Sequence, residues 1–153
     1  MALRQQISDA LKEAVKAKDR TTTSTLRLVS AALKDRDIAA RSAGAGNAGI
    51  TDEEILELFT KMVRQREEAA EQYRVGGRPE LAEREMFEIE VIRRFMPRQL
   101  SAQEMEQVVD EVIAETGASG LKDMGRVMAA LKQGYPGQVD GAVASALVKQ
   151  KLV

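Results

Sequence analysis

The sequence predicts an all-α protein, with a four-helix N-terminal domain over residues 1–97 and a small three-helix C-terminal bundle over residues 98–153. Two observations support this. Apolar residues recur at steps of three and four along most of the chain, which is the period of an amphipathic helix, and no alternation of strand length occurs. The second observation is a junction near Pro97, where one helix has to end and another begins.

The junction comprises Pro97 and the residues on either side of it. The proline ring disfavours the helical conformation at Met96, so we expect the preceding helix to end at Phe95. Ser101 and Glu104 follow at the spacing of a capping box, in which each side chain accepts a hydrogen bond from the other residue's backbone amide. The domain boundary is therefore predicted at residue 97.

Four helices are predicted before the junction. The first covers residues 3–18, and the second begins among the threonines after Asp19-Arg20. A Gly/Ala/Asn-rich loop over residues 42–49 follows it. Thr51 with Glu54 opens the third helix as a capping box, and Gly76-Gly77 ends it. The fourth begins at Pro79, which suits a first turn.

Three shorter helices are predicted after the junction. They cover about residues 102–116, about residues 121–132, and a last segment capped by Asp140. Gly125 lies inside the second of these, where glycine costs about 1 kcal/mol relative to alanine. We expect it there because a neighbouring helix approaches closely.

The composition excludes several kinds of active site. Cysteine and histidine are both absent, which removes thiol nucleophiles, disulfides, zinc sites of the usual kind and the side chain that titrates near neutral pH. The sequence also lacks a GxxxxGK[ST] phosphate loop and a nucleophile elbow. We predict no catalytic residue, no metal and no cofactor.

The distribution of charge and apolar residues limits the choice of partner and compartment. Residues 1–99 contain 18 basic and 17 acidic residues, and the remainder contains five and seven. Nucleic-acid binding would therefore depend on a local patch. No apolar run approaches the roughly 18 residues of a membrane span, and the first residues lack a signal-peptide core. We expect a cytoplasmic protein with no membrane or DNA partner.

Two groups of cations are candidate RNA-binding residues. The C-terminal group could line one edge of its bundle: Lys122, Arg126, Lys132, Lys149 and Lys151. The N-terminal group lies on the polar faces of long helices: Arg27, Lys34, Arg64 and Arg78. Both groups could contact phosphate, and both could equally be solvated helix surface carrying ordinary ion pairs. Glu85 and Glu88 share a helical face, and a paired-carboxylate site there is a further, weaker alternative.

An ordered set of short motifs resembles the GatB/YqeY family over essentially the whole chain. The motifs are Gly77-Arg78-x-x-Leu81, Glu85-x-x-Glu88-Ile89, Pro97-x-Gln99-Leu100-Ser101, Asp123-Met124-Gly125-Arg126-Val127-Met128, Asp140-Gly141 and Val148-Lys149-x-x-Leu152. Members that occur as free-standing proteins are similar to the C-terminal tail of the B subunit of aspartyl/glutamyl-tRNA amidotransferase. The resemblance implies a helical domain followed by a three-helix tail, contact with tRNA, and an association with carbon–nitrogen ligases that use glutamine as amido donor.

The resemblance carries over residue by residue only in the tail, at Lys122, Arg126, Asp140 and Lys149. The family often has a basic pair before Ala-Asp-Gly, where this chain has Pro136, Gln138 and Val139, and this departure weakens phosphate contact at that loop. Nothing in the sequence matches the catalytic parts of the amidotransferase.

Three hypotheses about function follow. The leading one is a tRNA-binding accessory protein, related to tRNA-dependent amidation and not catalytic on its own. The second is a component of a transamidation enzyme that is active only with partners, such as amidotransferase or aminoacyl-tRNA synthetase subunits. The third, from a different class, is a helical protein–protein interaction adapter without RNA binding.

Overall fold

The structure is a computed structural model that describes residues 2–44, 46 and 48–153. These residues form seven α-helices and a one-turn 3₁₀ helix, Leu121–Asp123, with no strand among them. The α-helices are α1 (Leu3–Lys16), α2 (Arg20–Ser42), α3 (Asp52–Val75), α4 (Pro79–Arg93), α5 (Ala102–Thr116), α6 (Met124–Gly134) and α7 (Gly141–Leu152). The predicted all-α class is confirmed.

Contacts divide the chain into two compact units, residues 1–96 and residues 97–153. We call them the front unit and the rear unit. Helices α1 to α4 belong to the front unit and helices α5 to α7 to the rear unit. Each unit has an apolar core of its own.

The core of the front unit is built mainly between α3 and α4. Phe59, Ile55, Ile89 and Ile92 are fully buried there, and each such side chain contributes roughly 1.5–3 kcal/mol of hydrophobic stabilisation. Phe95 packs edge-on against Phe59, with ring centroids 6.5 Å apart. Because of this packing, the apolar faces of α3 and α4 point into the core and their polar faces are exposed to solvent.

The turn between α1 and α2 differs from the prediction. The start signal of α2 is Asp19, whose carboxylate accepts hydrogen bonds from the Thr22 amide at 3.1 Å and hydroxyl at 2.8 Å. The threonines lie inside the helix, and Thr22 and Thr25 are buried. Aspartate is preferred over threonine at the N-cap, and Asp19 accepts hydrogen bonds from both the amide and the hydroxyl of Thr22. Before it, Lys18 adopts a left-handed conformation with φ of 58°.

Helix α4 ends at Arg93, two residues earlier than predicted. The amides of Phe95 and Met96 bond to carbonyls three residues back, those of Ile92 and Arg93, so the last turn is tighter than an α-helix. Pro97 disfavours the α-helical conformation at Met96, and the α-helical hydrogen bonding ends before the chain reaches that residue. Both Phe95 and Met96 still pack against the front core.

A polar clamp joins α1, α2 and the segment before α3. The Arg4 guanidinium donates to the Asp37 carboxylate at 2.7 Å and to the Ile50 carbonyl at 3.0 Å. Asp37 in turn accepts from the Ile50 amide at 2.9 Å. Gly49 has a φ of 81°, and a Cβ atom there would lie 2.5 Å from Arg4 Nη2. The clamp therefore requires glycine at this position.

Two of the three rear helices follow the prediction at their ends. Ser101 and Glu104 form the capping box of α5, and Gly117 ends that helix in the left-handed conformation. The Asp140 carboxylate caps α7. The second helix differs, because residues 121–123 form a 3₁₀ turn and α6 begins only at Met124.

The interpretation of Gly125 was wrong. A Cβ atom built on this residue meets no atom within 4 Å, and the residue is exposed. The core of the rear unit is formed by other residues of α6, Val127 and Leu131, with Val109 and Val148 from α5 and α7. No close helix approach accounts for this glycine.

Every helix in the part of the chain that the structure describes is too short or too polar to cross a lipid bilayer.

Candidate nucleic-acid interface

The five cations predicted to form a rear rim differ in how they are engaged. Lys151 is mostly buried and reaches back to α5, where its ammonium lies 2.7 Å from Asp110 Oδ1 and 3.5 Å from Glu106 Oε1. The hydrogen bond with Asp110 raises the pKa of the lysine. This cation therefore joins two helices of the rear unit.

Arg126 is paired within its own helix turn. Its guanidinium lies 3.2 Å from Asp123 Oδ1, and the other Asp123 oxygen accepts from the Ser119 amide at 3.0 Å. That backbone hydrogen bond, aided by the charges of Arg126 and Lys122, lowers the pKa of Asp123. Much of the Arg126 charge is thus offset by an adjacent carboxylate.

The remaining rear candidates, Lys122, Lys132 and Lys149, are exposed. They lie on the 3₁₀ turn, on α6 and on α7. Lys122 is next to Asp123 in sequence, and its charge helps to lower the pKa of that carboxylate. Lys132 has an interaction of its own within the chain. The exposed part of the rear rim consequently consists of lysines on three different elements, with its arginine paired.

Two of the four front candidates are also engaged or partly covered. Arg78 lies 3.0 Å from Glu80, although both side chains are well exposed. Arg64 is half-buried on α3 and has an interaction of its own within the chain. Arg78 is therefore paired, and Arg64 is only partly accessible.

Arg27 and Lys34 are the front candidates that project freely from α2. The inner face of α2 is fixed by buried Leu26, Val29 and Leu33, and residues of the opposite face point into solvent. Arg27 and Lys34 are both exposed, and no ion pair within the described residues includes either of them. The structure thus separates these two cations from the other predicted ones.

Two cations on the same face of α2 were not among the predicted RNA-binding residues. Arg20 and Arg41 are exposed and stand seven residues before Arg27 and seven after Lys34. The seven-residue spacing was readable in the sequence, since seven residues are close to two full turns of a helix. The candidate set can be extended to four cations on this basis.

One glutamate of the predicted pair on α4, Glu88, is in ion pairs with arginine. Glu88 lies 3.0 Å from Arg66 Nε and 3.8 Å from Arg84 Nε, and Arg66 also donates to the Met62 carbonyl. Burial raises the pKa of Glu85, with a further contribution from the charge of Glu88. Glu88 is therefore part of a polar contact between α3 and α4.

A shallow groove of about 490 Å³ runs along the exposed side of α4. Its apolar wall is formed by Pro79, Ala82, Met86 and Phe87, and charged side chains border it: Arg74, Glu83 and Glu90. Met86 is 41% exposed, and Val75 at the end of α3 is 80% exposed. This apolar surface differs in chemistry from the basic face of α2.

Comparison with known proteins identifies relatives in fungi. The protein named "Altered inheritance of mitochondria protein 41, mitochondrial" from Eremothecium gossypii is 30% identical over 86 residues, which are 56% of this chain and 44% of that protein. The protein of the same name from Candida glabrata is 32% identical over 87 residues, 56% of this chain and 45% of that protein. The chain matches less than half of the length of each.

A family model described as "Yqey-like protein" matches residues 4–152. The match spans both units, from the first turn of α1 to the end of α7. It confirms the resemblance that the ordered motifs predicted. This chain belongs to the YqeY-like family.

Proposed function

We propose that this chain is an RNA-binding accessory protein that contacts the phosphate backbone of tRNA and does no chemistry on its own. The observation that carries this proposal is the presence of exposed arginine and lysine side chains outside ion pairs, on rigid helices. Such cations bind phosphate oxygens, and arginine does so through a planar fork. Recognition would depend on backbone shape and charge rather than on base sequence.

The family resemblance relates this binding to tRNA-dependent amidation, in which glutamine is the amido donor of a carbon–nitrogen ligase. The chain contains no histidine or cysteine, so the proposed role is to hold tRNA or a partner subunit. Amidotransferase or aminoacyl-tRNA synthetase components are the protein partners we propose. No cofactor is part of this proposal.

Fluorescence polarisation with unfractionated tRNA tests the binding directly. We expect binding at low salt that weakens as salt rises, with a slope that corresponds to a few released counterions. Absence of binding to unfractionated tRNA at low salt would contradict the proposal.

A second assay tests the link to amidation. The purified chain, with glutamine, ATP and mischarged tRNA, should be inert alone and should change the rate of an amidotransferase holoenzyme to which it is added. If binding to tRNA holds and the holoenzyme rate is unchanged, the RNA-binding role stands and its connection with amidation falls.

The alternative function is a protein–protein interaction adapter without RNA binding. The groove on α4 favours it, because an apolar wall bordered by both signs of charge can accept an amphipathic segment of a partner. Purification from nuclease-treated cells distinguishes the two functions. One dominant protein, retained by a chain with Arg27→Gln and Lys34→Gln but lost from a chain with Met86→Glu, would favour the adapter. A tRNA-rich eluate before nuclease treatment would contradict it.

We also propose that residues 1–97 and 98–153 are separately folding domains and that the chain acts in the cytoplasm. The separate core of each unit supports the first statement. Residues 98–153 expressed alone should unfold cooperatively in urea, and a non-cooperative transition would contradict independence. Fractionation of the source cells tests the location, since a membrane-enclosed fraction would contradict a cytoplasmic one.

A further inference from the structure

The outer face of α2 carries basic side chains at a regular spacing, with short or aliphatic residues between them; we call this line of residues the α2 stripe. Its members follow one another at steps of four and three residues: Arg20, Ser24, Arg27, Ala31, Lys34, Ile38 and Arg41. All seven residues are exposed. A face that repeats every seven residues drifts by only about 20° per repeat. The four cations therefore lie along one side of the helix over about 31 Å, turning about its axis by roughly 60° in all.

The stripe contains no carboxylate. Helix α2 has two acidic residues, and one of them, Asp37, is turned toward Arg4 in the clamp that joins α1 to α2. The other, Asp35, lies one position away from Lys34, on the flank of the stripe. With five basic residues against two acidic ones, α2 has a net charge of +3. This is the highest of any helix in the described part of the chain.

The long neighbouring helices carry the opposite charge. Four basic and seven acidic residues give α3 a net charge of −3, and two basic and five acidic residues give α4 the same value. Many of their cations are paired, as Arg66 is with Glu88 and Arg93 with Glu67. Among the described residues, no ion pair includes Arg20, Arg27 or Lys34. Helix α2 is thus the most positively charged of the four front helices.

We infer that the α2 stripe is the principal surface on which this chain binds an RNA phosphate backbone. Cations spaced along a rigid rod match a polyanion whose charges are also spaced along a line. Between the first three cations stand only Ser24 and Ala31, whose short side chains leave room for a phosphate to approach, and the serine hydroxyl can donate to a phosphate oxygen. The inference rests on the proposed RNA-binding function and assigns it to the front unit rather than to the rear rim.

A lipid surface fits the stripe less well. A helix that lies in a membrane interface presents a broad apolar face to the lipid. The apolar face of α2 is buried in the front unit, and Ile38 is the only large aliphatic member of the stripe. The chemistry of the stripe therefore favours hydrated phosphates in solution over insertion among acyl chains.

Two matched variants of the full-length chain test the assignment. One carries Arg20→Gln, Arg27→Gln and Lys34→Gln on α2; the other carries Lys122→Gln, Lys132→Gln and Lys149→Gln in the rear unit. Each loses three positive charges, and glutamine keeps a good helix propensity. The binding of unfractionated tRNA is measured by polarisation over a range of salt concentrations.

We expect the α2 variant to bind at least about tenfold more weakly at low salt than the unmodified chain, with a salt slope lower by about 2 to 3. The rear variant should stay within about threefold of the unmodified chain, because it leaves the α2 stripe intact. If the rear variant loses binding and the α2 variant does not, the inference is overturned and the proposed function stands. If the unmodified chain does not bind tRNA, the proposed function fails and the assignment falls with it.

Ala31→Glu separates binding from folding. The new carboxylate would lie four residues after Arg27 and three before Lys34, within reach of both. The ion pairs gained should offset the slightly lower helix propensity of glutamate and its repulsion by Asp35 four residues later, so the thermal midpoint should change little. Binding to tRNA should nevertheless weaken, because the stripe is neutralised at its centre.

Ala31→Gln is the matched control, since glutamine has the same length as glutamate and no charge. This variant should bind tRNA more tightly than Ala31→Glu does. Equal binding by Ala31→Glu and the unmodified chain would contradict the inference. Retention of the unmodified chain on phosphatidylserine vesicles but not on tRNA would contradict it as well.

Discussion

The front and rear units use their charged side chains differently. In the front unit, Arg4 with Asp37 and Arg66 with Glu88 join separate elements, and these side chains are partly buried. In the rear unit, Arg98 with Glu104 and Arg126 with Asp123 bind within or next to a single helix, where the arginines are exposed. Lys151 is a rear cation that crosses between helices.

The difference shows why bulk charge does not locate a binding surface. Two partly buried carboxylates of the front unit, Asp37 and Glu88, are in ion pairs with arginine. Three cations on the outer face of α2 are in no ion pair among the described residues: Arg20, Arg27 and Lys34. The rear unit is the one whose motifs suggested RNA contact, yet Arg126 and Lys151 are in ion pairs. The one arginine of the rear set is therefore paired, whereas Arg20 and Arg27 on α2 are in no ion pair among the described residues.

The largest effect is expected at Gly49, in the clamp of the front unit. Gly49→Ala places a Cβ atom 2.5 Å from Arg4 Nη2 and 2.7 Å from Asp37 Oδ1, in a left-handed conformation. Backbone strain and the weakened charged hydrogen bonds should lower the free energy of unfolding by about 3 kcal/mol. Hydrogen exchange of the α2 amides measures the effect.

Gly46→Ala is the matched control for that change. Gly46 also has a positive φ, 79°, but a Cβ atom there meets nothing within 4 Å. Only the conformational strain remains, so the loss should be about 1 kcal/mol. Equal effects at the two glycines would mean that the clamp contributes little.

The second prediction concerns the acid side of the clamp. Asp37→Asn should lower the free energy of unfolding by about 2 kcal/mol at pH 7, because Arg4 loses its ionic partner. Arg4 holds the pKa of Asp37 below its usual value of 3.8. The stabilisation is therefore complete above pH 3.8 and disappears as the pH falls through the lower, folded-state pKa. The difference between variant and unmodified chain, measured by urea unfolding, should close only under strongly acidic conditions.

Glu85→Gln should show the opposite dependence on pH. Burial raises the pKa of Glu85 above its usual value of 4.5, so its ionisation opposes folding as the pH rises through the folded-state pKa. The variant should equal the unmodified chain below pH 4.5 and exceed it in stability at about pH 7. A gap of constant size across this range would contradict the assignment of the effect to ionisation.

The fourth prediction compares one kind of helix ending in the two units. After α1, the amide of Asp19 bonds to the Ala14 carbonyl and the amide of Lys18 to the Val15 carbonyl; after α5, Ala118 and Gly117 repeat this pattern. This is a Schellman motif, with lysine at the left-handed position in one case and glycine in the other. Lys18→Gly should raise, and Gly117→Ala should lower, the free energy of unfolding by about 1 kcal/mol. Changes of the same sign in urea unfolding would exclude this explanation.

The smallest effect is expected at Gly125 in the rear unit. Gly125→Ala fills open space on an exposed helix face, so it should raise the free energy of unfolding by about 0.5–1 kcal/mol. Far-UV circular dichroism during thermal unfolding measures it. A destabilised variant would show that the close approach expected from the sequence exists after all.

Local chemistry made much of the fold predictable. The capping boxes at Thr51 and Ser101 and the left-handed Gly117 depend on residues within four positions of each other, and the bounds of α5 were predicted as they are found. The start of α2 was predicted within a few residues of its true place, since the N-cap Asp19 lies just before the threonines from which that start was predicted. Such signals can be read because the interacting groups are neighbours in sequence.

Contacts between distant residues could not be predicted. Arg4 and Asp37 are 33 positions apart, and no local pattern couples them. The pairing of Lys151 with Asp110 removed a cation from the predicted rim for the same reason. Arg27 and Lys34 were identified from their helix face, whereas the choice between free and paired cations required the tertiary structure.

Photo-crosslinking of single-cysteine variants to tRNA tests the central claim, that the front unit presents the RNA-binding surface. The chain has no native cysteine, so a photoreactive label can be attached at Ala31→Cys on α2, or at Ala146→Cys on α7 beside Lys149. Both positions are exposed alanines. We predict efficient crosslinking from position 31 and little from position 146. Crosslinks from position 146 alone would contradict the claim.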